Sequence, residues 1–357
     1  MNPLNRQVSE ALRSQSSALA LQMVNREFAR HPELEQRYGK IGREKCLQDA
    51  GYHLDYLAQA IAADSTDLFI DYIGSAKFML AKRNIPATDL ANMIETMKES
   101  LEQGLPPELN QLASDYLDIG LAQLPRLPDD LPSYMVEGAP LATLANDYLQ
   151  ALLRGERQVA CKLVLDAVQQ GTAVRDIYLH VFQRTQYEVG RLWQGNEINV
   201  AQEHYCSAAT QLIMSQLYPH IFGAAKTHGT IVGTCVSGDL HEIGVRILCD
   251  FFEMQGWHSH YLGANVPTSS VVQTVLQLKA DVVAISATIT YHVDAVEKLI
   301  VAVRSTPECR NVKILVGGYP FKVAPNLWRT IGADGSANNA EDAVLEANRL
   351  TSQSFNA

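Results

Sequence analysis

The sequence predicts a multidomain α plus α/β protein with an N-terminal all-helical domain, a four-helix bundle and a flavodoxin-like, doubly wound parallel sheet. Three observations predict this fold class. Apolar residues recur every three or four positions through most of residues 1–222, a cluster of prolines interrupts that pattern near residue 130, and after Gly229 short β-branched runs alternate with helical stretches. A chain of 357 residues has room for two or three domains, each large enough to bury its own core.

Residues 1–124 form the first of these regions. Their apolar residues keep the helical period, as in the segment LDYLAQAI at 54–61, and no strand-like run occurs among them. Turn signals fall at 63–65, 84–88 and 104–107. The region therefore predicts about five helices, packed as one all-helical sensor or interaction domain.

Residues 125–140 predict a linker, because Pro125, Pro128 and Pro132 lie so close together that no helix interior tolerates them. Helical periodicity returns over 141–224 in four segments joined by short breaks. The segments are Leu141–Arg154, Arg157–Gln170, Val174–Trp193 and Val200–Tyr218. Helices of this length with short connections are typical of an antiparallel four-helix bundle.

The last region, residues 229–352, predicts the doubly wound parallel sheet. Four runs rich in β-branched and apolar residues alternate with helical stretches, and they lie at Thr230–Val236, Ser259–Leu262, Asp281–Ser286 and Lys313–Gly318. In such a sheet, ligands bind beyond the carboxyl ends of the strands, where the strand order reverses. The residues that follow each run are therefore the first candidates for a binding site.

Composition excludes several classes of protein. The chain has 29 basic against 39 acidic side chains, so its formal charge is −10 and a nucleic-acid-binding surface over the whole molecule is not expected. No apolar run is long enough to span a membrane, and the start lacks the apolar core of a signal peptide. The six cysteines are scattered without metal-binding spacing. We therefore expect a cytoplasmic protein with reduced thiols and no direct contact with nucleic acid or membrane.

The loop after the first predicted strand carries the strongest chemical signal. It reads SGDLHEIG at 237–244, and a predicted helix follows at once. His241 could present one ring nitrogen to a metal while Asp239 accepts the N–H of the other nitrogen. Gly244 would let the backbone approach a bulky ligand. The same loop could also be a hydrogen-bonded turn without any ligand, and the octapeptide alone does not separate the two interpretations.

The ends of the other predicted strands add to this signal. The third run is followed by Thr290, four residues after Ser286, and the fourth ends in Gly317 and Gly318. Together with the Asp-x-His-x-x-Gly loop, these motifs fall in the right order on the right elements. Residues 229–350 therefore resemble the cobalamin-binding domain of methionine synthase, cobalamin-dependent mutases, methyl-carrier corrinoid proteins and light-sensing regulators.

The resemblance implies a base-off, His-on cobalamin site. His241 would be the lower axial ligand of cobalt, with Asp239 hydrogen-bonded behind it, and the nucleotide tail would run between the sheet and the helices. The residues that the resemblance places against the cofactor are Asp239, Leu240, Glu242, Ile243, Gly244, Ser286, Thr290, Gly317 and Gly318. His292 stands where some relatives carry a hydroxyl residue, and its position predicts a surface histidine at the start of a helix.

A second signal lies in the predicted bundle, where Trp193 is followed ten positions later by Glu203 and then His204. Taken alone, a tryptophan at a helix end predicts core packing and a Glu-His pair predicts a solvated helix face. Their joint spacing resembles the upper-face cap of the cobalamin-dependent photoreceptors that control carotenoid genes, which implies contact with the 5′-deoxyadenosyl group. Two features depart from that family. Gln194 replaces the histidine that follows the tryptophan there, which leaves His204 as the substitute ligand, and residues 1–125 do not resemble its MerR-type DNA-binding domain.

Residues 1–124 also contain three side chains that could hold a heme or bilin, namely His31, Cys46 and His53. His53 is flanked by tyrosines, which could line an apolar pocket around a tetrapyrrole. A lone histidine in an amphipathic helix is more often a structural residue, and no second ligand stands at a recognisable spacing. We therefore favour a structural role for His53 and keep heme or bilin binding in this domain as the alternative.

The resemblance predicts a cobalamin-binding light sensor that is not an enzyme. Adenosylcobalamin would lie between His241 below and Trp193, Glu203 and His204 above. Photolysis would then change contacts in a homo-oligomer or with a transcription regulator or signalling protein. The alternative is a methyl-carrier corrinoid protein that serves partner methyltransferases and works with methylcobalamin. An isomerase is a third hypothesis, and the chain lacks room for its substrate-binding barrel of about 250 residues.

Overall fold

The structure is a computed structural model and describes residues 2–352. Within that range the chain is mostly helical and has one five-stranded parallel sheet, in agreement with a helical region followed by a Rossmann-like domain. The residues form two compact units. The first comprises residues up to 129 together with 287–298 and 319–332, and the second comprises 130–286, 299–318 and the residues from 333 onward.

Five helices make up most of the first unit among its described residues. They are α1 (Pro3–Arg30), α2 (Glu33–Ala62), α3 (Thr66–Ala81), α4 (Ala87–Gly104) and α5 (Pro107–Gln123). The side chain of Asn2 accepts a hydrogen bond from the backbone of Leu4, and that of Ser65 accepts one from Leu68, so α1 and α3 each begin at a polar cap. Apolar residues at the helical period, such as Leu57, are fully buried, and the packing of these faces stabilises the unit.

The helices of the second unit that precede the sheet share one hydrophobic core with one face of that sheet. They are α6 (Ala142–Leu153), α7 (Arg157–Gln169), α8 (Val174–Ile177), α9 (Gln183–Gln194) and α10 (Val200–Gln216). A π-helical turn at Tyr178–Phe182 joins α8 to α9. A capping box between Asn199 and Gln202 starts α10, because each side chain bonds the other residue's backbone N–H.

The five strands are parallel and follow the order β2-β1-β3-β4-β5. They are β1 (Thr230–Cys235), β2 (His258–Tyr261), β3 (Val282–Ser286), β4 (Lys313–Gly317) and β5 (Gly335–Ala337). The remaining helices are α11 (Ile243–Met254), α12 (Thr268–Leu278), α13 (Val293–Ser305), α14 (Tyr319–Val323), α15 (Leu327–Thr330) and α16 (Ala340–Ser352). The strand order reverses between β1 and β3, so the ligand-binding edge of this fold lies at their carboxyl ends.

The sequence predicts four of these strands to within one residue at each end and misses β5. The short β5 reads Gly-Ser-Ala, which has neither the length nor the β-branched residues of a strand signal. His292 also differs from its prediction, because it is only 9% exposed and lies in a 3-10 turn at Thr290–His292. A 3-10 turn has a tighter period than an α-helix, so the pattern of α13 does not indicate which way the preceding histidine faces. No helix of residues 2–352 is both long and apolar enough to cross a lipid bilayer.

Candidate functional site

The loop after β1 holds His241 in a fixed orientation. Asp239 is fully buried, and its Oδ1 accepts two hydrogen bonds from His241, one from the backbone N–H at 3.0 Å and one from Nδ1 at 2.8 Å. The loop after β2 supports this arrangement. Its residue Asn265 accepts a hydrogen bond from Gly238 N through Oδ1 at 2.7 Å and donates its own N–H to the Asp239 carbonyl at 2.9 Å. The imidazole is therefore oriented by the protein alone.

This pairing leaves the second ring nitrogen of His241 available. Because Nδ1 is bonded to Asp239, Nε2 is the nitrogen that can bind a metal, and the side chain of His241 is 52% exposed. The hydrogen bond to Asp239 raises the pKa of His241, and burial opposes that rise. A carboxylate behind an imidazole also makes its other nitrogen a stronger metal ligand.

The surface around His241 is open. Leu240 is 72% exposed, Ile243 is partly buried, and a Cβ placed on Gly244 would have no atom within 4 Å. A large ring that binds through a metal requires an available ligand nitrogen. It also requires exposed apolar surface and a glycine without close neighbours, and the loop provides all three. The residues present therefore fit a corrin ring at this loop.

Glu242 joins three elements next to this loop. Its Oε2 accepts hydrogen bonds from Tyr261 Oη at 2.7 Å and Ala264 N at 3.0 Å, and its Oε1 accepts one from Gln211 Nε2 of α10 at 3.0 Å. Gly263 makes room for this contact, since it has φ +87° and a Cβ there would lie 3.1 Å from Glu242 Oε2. Both oxygens of Glu242 thus bind protein groups, and the residue ties α10 to the ligand edge of the sheet.

The ends of β1, β3 and β4 lie side by side at the same edge. Ser286 pairs with Cys235 on one side and with Gly317 on the other. A Cβ on Gly317 would lie 3.4 Å from a backbone oxygen, and Gly318 has φ +107°, which favours glycine. Thr290 is buried and belongs to the first unit. Its contact with the cofactor stays a prediction.

The residues predicted for the upper side lie on α9 and α10. Trp193 is in the last turn of α9 and is 37% exposed. Glu203 lies in the first turn of α10 and His204 follows it, and His204 Nδ1 is 2.6 Å from Glu203 Oε2. The charge of Glu203 contributes to the raised pKa of His241, so the structure brings these two residues within electrostatic reach.

Helix α10 also carries a polar stripe that was not predicted from the sequence. Glu203, Ser207, Gln211 and Ser215 are spaced four residues apart, which places them on one helix face. Arg246 of α11 donates hydrogen bonds to Gln211 Oε1 at 3.3 Å and to Ser215 Oγ at 2.7 Å. A polar residue at every fourth position was visible in the sequence. It indicates a helix face that meets polar groups rather than an apolar core.

The three side chains that could hold a heme or bilin, His31, Cys46 and His53, each lie in a different environment in the first unit. His53 is buried with Nδ1 2.6 Å from the Tyr72 hydroxyl, and burial lowers the pKa of His53 to about 4. Burial raises the pKa of Cys46 to about 11, and His31 Nδ1 lies 3.2 Å from Glu33 Oε1. Within residues 2–352, no three His, Cys, Asp or Glu side chains come together as a metal site.

Three protein-family models match the chain. The B12 binding domain model matches residues 229–347, a second B12 binding domain model matches 144–218, and the phycobilisome protein model matches 5–124. The first two cover the sheet and the helices α6–α10, which confirms the prediction of a cobalamin-binding protein. The match of residues 5–124 to the phycobilisome protein model was not predicted from the sequence.

The relatives show the family. A dimethylamine corrinoid protein of Methanosarcina barkeri is 30% identical over 165 residues, which are 46% of this chain and 74% of that protein. The chain belongs to the corrinoid-protein family. A corrinoid protein of Desulfitobacterium hafniense (strain Y51) is 26% identical over 215 residues, 59% of this chain and 98% of that one. The match to dimethylamine corrinoid protein 1 of Methanosarcina acetivorans is 33% identical and spans only 59% of that relative.

This corrinoid protein also shares its fold with a solved relative. The structure of the monomethylamine corrinoid protein of Methanosarcina barkeri superimposes with a TM-score of 0.53 at 23% identity, over 58% of this chain and 99% of that one. The prediction that the chain is not itself an enzyme is confirmed by its membership of this family.

The family corrects the predicted function. The expectation of a photoreceptor that signals to a transcription regulator is wrong, because these relatives are corrinoid proteins named for methylamines. The physical reason is that helices followed by a cobalamin sheet are common to both classes. Trp193, Glu203 and His204 alone distinguished them, and three residues of common types are too few to do so.

Proposed function

We propose that this corrinoid protein binds cobalamin base-off and carries a methyl group on the cobalt between partner methyltransferases. The observation that carries the proposal is the half-exposed His241, whose Nδ1 is held by the buried Asp239 at the ligand edge of the sheet. Cobalamin supplies a cobalt ion that takes up and releases a methyl group, and methylcobalamin is the working form that we propose.

His241 and its neighbours would form the lower side of the site. Nε2 of His241 would bind cobalt, and Asp239 would keep the proton on Nδ1, so that Nε2 retains its lone pair. The open surface at Leu240, Ile243 and Gly244 would lie against the corrin ring. The bare strand ends at Ser286, Gly317 and Gly318, together with Thr290, would hold the nucleotide tail; this is an expectation from the resemblance.

Helices α6–α10 would form a four-helix bundle cap over the upper side. The partly exposed indole of Trp193 could cover a small apolar methyl group and exclude water from it. Glu203 and His204 would face the same side from α10. The predicted limits 1–124, 125–140, 141–224 and 229–352 for the interaction domain, the linker, the cap and the cobalamin domain are part of this proposal.

The names of the relatives support a class of methyl donor. The proteins of Methanosarcina barkeri are named for dimethylamine and monomethylamine, so we propose a methylated amine as the donor for this chain. A carrier needs one methyltransferase that loads the methyl group and a second that removes it. Both would be protein partners of this chain.

Labelled substrate tests the proposal. The protein is loaded with hydroxocobalamin, reduced with Ti(III) citrate, and incubated with isotopically labelled mono- or dimethylamine and an extract of the cells in which it naturally occurs. We expect label on the bound cofactor and the absorption spectrum of methylcobalamin, and neither with the His241→Ala variant. A loaded wild-type protein that acquires no label from either amine would contradict the proposed donor, and failure to bind cobalamin would contradict the proposal as a whole.

A further inference from the structure

A continuous line of hydrogen bonds runs through helices α6, α9 and α10 and ends at Glu203. Tyr148 Oη lies 2.9 Å from Thr210 Oγ1, and Thr210 Oγ1 lies 2.9 Å from the side-chain amide of Gln186. The same amide lies 3.1 Å from Ser207 Oγ, which is 2.9 Å from Glu203 Oε1. Five side chains from three helices are thus connected, and we call them the Glu203 chain.

The hydrogen count gives the Glu203 chain a direction. Ser207 has one hydroxyl hydrogen, yet two acceptor oxygens, Gln186 Oε1 and Glu203 Oε1, lie within hydrogen-bond distance of it. Rotating the amide by 180° exchanges its nitrogen and oxygen without changing its shape, and the two orientations are assigned from hydrogen bonding. In the rotated form Tyr148 donates to Thr210, and Thr210 donates to the Gln186 oxygen. Gln186 then donates to Ser207, which leaves the Ser207 hydrogen for Glu203.

Burial makes the Glu203 chain rigid. Tyr148 and Thr210 are 0% exposed, so their hydroxyls must bond to protein groups or leave costly unpaired dipoles. Each donor in the line has its acceptor, and the carboxylate of Glu203 accepts at the end. Glu203 therefore has its Oε1 fixed from behind by Ser207, while its Oε2 faces His204.

Glu203, the last residue of the Glu203 chain, lies on the face of α10 that meets the loop at 237–244. Gln211, two turns after Glu203 on the same face, bonds to Glu242, the residue next to His241. Glu203 and Gln211 share this helix face, so the carboxylate lies on the side of α10 that meets the loop of His241, where we propose that the corrin ring binds.

We propose that Tyr148, Thr210, Gln186 and Ser207 are positioning residues that hold Glu203 as an oriented hydrogen-bond acceptor for a donor on the upper side of the bound corrinoid. The inference deepens the proposed function and rests on it. The donor is an N–H or O–H group, supplied by a cobalt-bound water or by an amide side chain of the corrin. A bare methyl group has no such hydrogen.

Thr210→Val tests the chain because it keeps the shape of the side chain and removes the linking hydroxyl. The matched control is Thr185→Val, since Thr185 is equally buried on α9 and its hydroxyl has no hydrogen-bond partner among the described residues. Thr210→Ser restores the hydroxyl, and Glu203→Gln removes the charge of the acceptor. Equilibrium titrations with hydroxocobalamin and with methylcobalamin measure the dissociation constants, and denaturant unfolding checks that each variant is folded.

We expect Thr210→Val to weaken hydroxocobalamin binding by about three- to tenfold, as loss of one hydrogen bond between neutral groups does, and Glu203→Gln to weaken it by about tenfold or more, because the lost acceptor is charged. Both variants should shift the visible absorption bands. Thr185→Val is expected to match wild type, and Thr210→Ser to restore binding. An effect confined to hydroxocobalamin identifies a cobalt-bound water as the donor, and an equal effect on methylcobalamin identifies a corrin amide.

A Thr210→Val variant that binds both forms as tightly as Thr185→Val, with unchanged spectra, would overturn the inference and leave the proposed function intact. Weakening that Thr210→Ser does not restore would likewise overturn it, because the hydroxyl would then not be the cause. A wild-type protein that binds no cobalamin would refute both the proposed function and this inference.

Discussion

A single buried oxygen, Asp239 Oδ1, binds both the ring and the backbone of His241, at 2.8 Å from Nδ1 and 3.0 Å from the backbone nitrogen. Burying a carboxylate costs free energy unless hydrogen bonds compensate it, and these two bonds do so. The orientation of the imidazole is therefore built into the loop. A ligand that binds Nε2 does not have to order the ring first.

We predict from this contact that Asp239→Asn weakens binding of hydroxocobalamin by about 10- to 100-fold, because a partner behind a metal-binding histidine sets its orientation and donor strength. His241→Ala should bind less tightly still and lose the absorption bands of a histidine-ligated cobalamin. Absorbance titration measures both. His31→Ala is the control and should keep those bands, since His31 belongs to the first unit and its ring contacts Glu33. A His241→Ala protein with the wild-type spectrum would show that another group is the lower ligand.

Substitution by alanine should lower cobalamin affinity at one glycine of the second unit and lower the free energy of unfolding at another. A Cβ on Gly244 meets no atom within 4 Å, whereas a Cβ on Gly233 of β1 would collide with Cys249 Sγ. Gly244→Ala should change the free energy of unfolding by less than about 0.5 kcal/mol, yet weaken cobalamin binding by about tenfold or more because its methyl group occupies the space of the ring. Gly233→Ala should lower the free energy of unfolding by about 1–3 kcal/mol. Denaturant unfolding and cobalamin titration give the two quantities, and a Gly244→Ala protein with wild-type affinity would place the ring elsewhere.

Stability of the first unit should fall in mild acid because of His53. Burial lowers the pKa of His53 from 6.5 to about 4, so between these values the unfolded chain binds a proton that the folded chain does not. The titration of His53 does not change the free energy of unfolding above pH 6.5, because the histidine is then neutral in both states. As the pH falls from 6.5 toward 4, the free energy of unfolding decreases by up to about 3 kcal/mol. We compare denaturant unfolding of wild type with His53→Gln, which keeps a polar partner for Tyr72. The wild-type stability should fall more steeply over this range, and His204→Gln, at an exposed histidine, should follow wild type. Parallel curves for wild type and His53→Gln would contradict the assignment.

Asp250 of α11 should produce the opposite dependence. Burial raises its pKa from 3.8 to about 6, although the Tyr178 hydroxyl donates a hydrogen bond to it at 2.8 Å. The folded chain therefore binds the extra proton between these values, and the contribution of Asp250 to stability is lost as the pH rises from 3.8 to 6.

For this carboxylate we predict that Asp250→Asn gains stability relative to wild type by about 2–3 kcal/mol between pH 4 and pH 7. The amide stays neutral and can still accept from Tyr178. Chemical unfolding at a series of pH values measures the difference. Asp166→Asn, at an exposed carboxylate paired with Lys162, is the control and should show no such gain. A difference between Asp250→Asn and wild type that does not vary with pH would contradict the prediction.

The parts of the fold that depend on local patterns were predictable from the sequence. The bounds of β1 follow from a continuous apolar run, and the pairing of Asp239 with His241 needs only two residues of separation in a loop. The three-residue β5 was not predictable, because its Gly-Ser-Ala sequence becomes a strand only by pairing with β4. The predicted function was wrong, because it depended on side chains of α9 and α10 that occur in many helices.

The sequence by itself determined the order of helical region and parallel sheet and the motif that presents His241, because periodicity and short-range hydrogen bonds operate within a few residues. Only the tertiary structure decided which distant side chains meet. Tyr148 contacts Thr210, which is 62 positions away in the sequence, and His53 contacts Tyr72, which is 19 positions away. A tyrosine or a histidine in a helix does not indicate which distant residue it will contact. These contacts depend on how helices pack, and packing is set by the whole buried surface and not by any one segment.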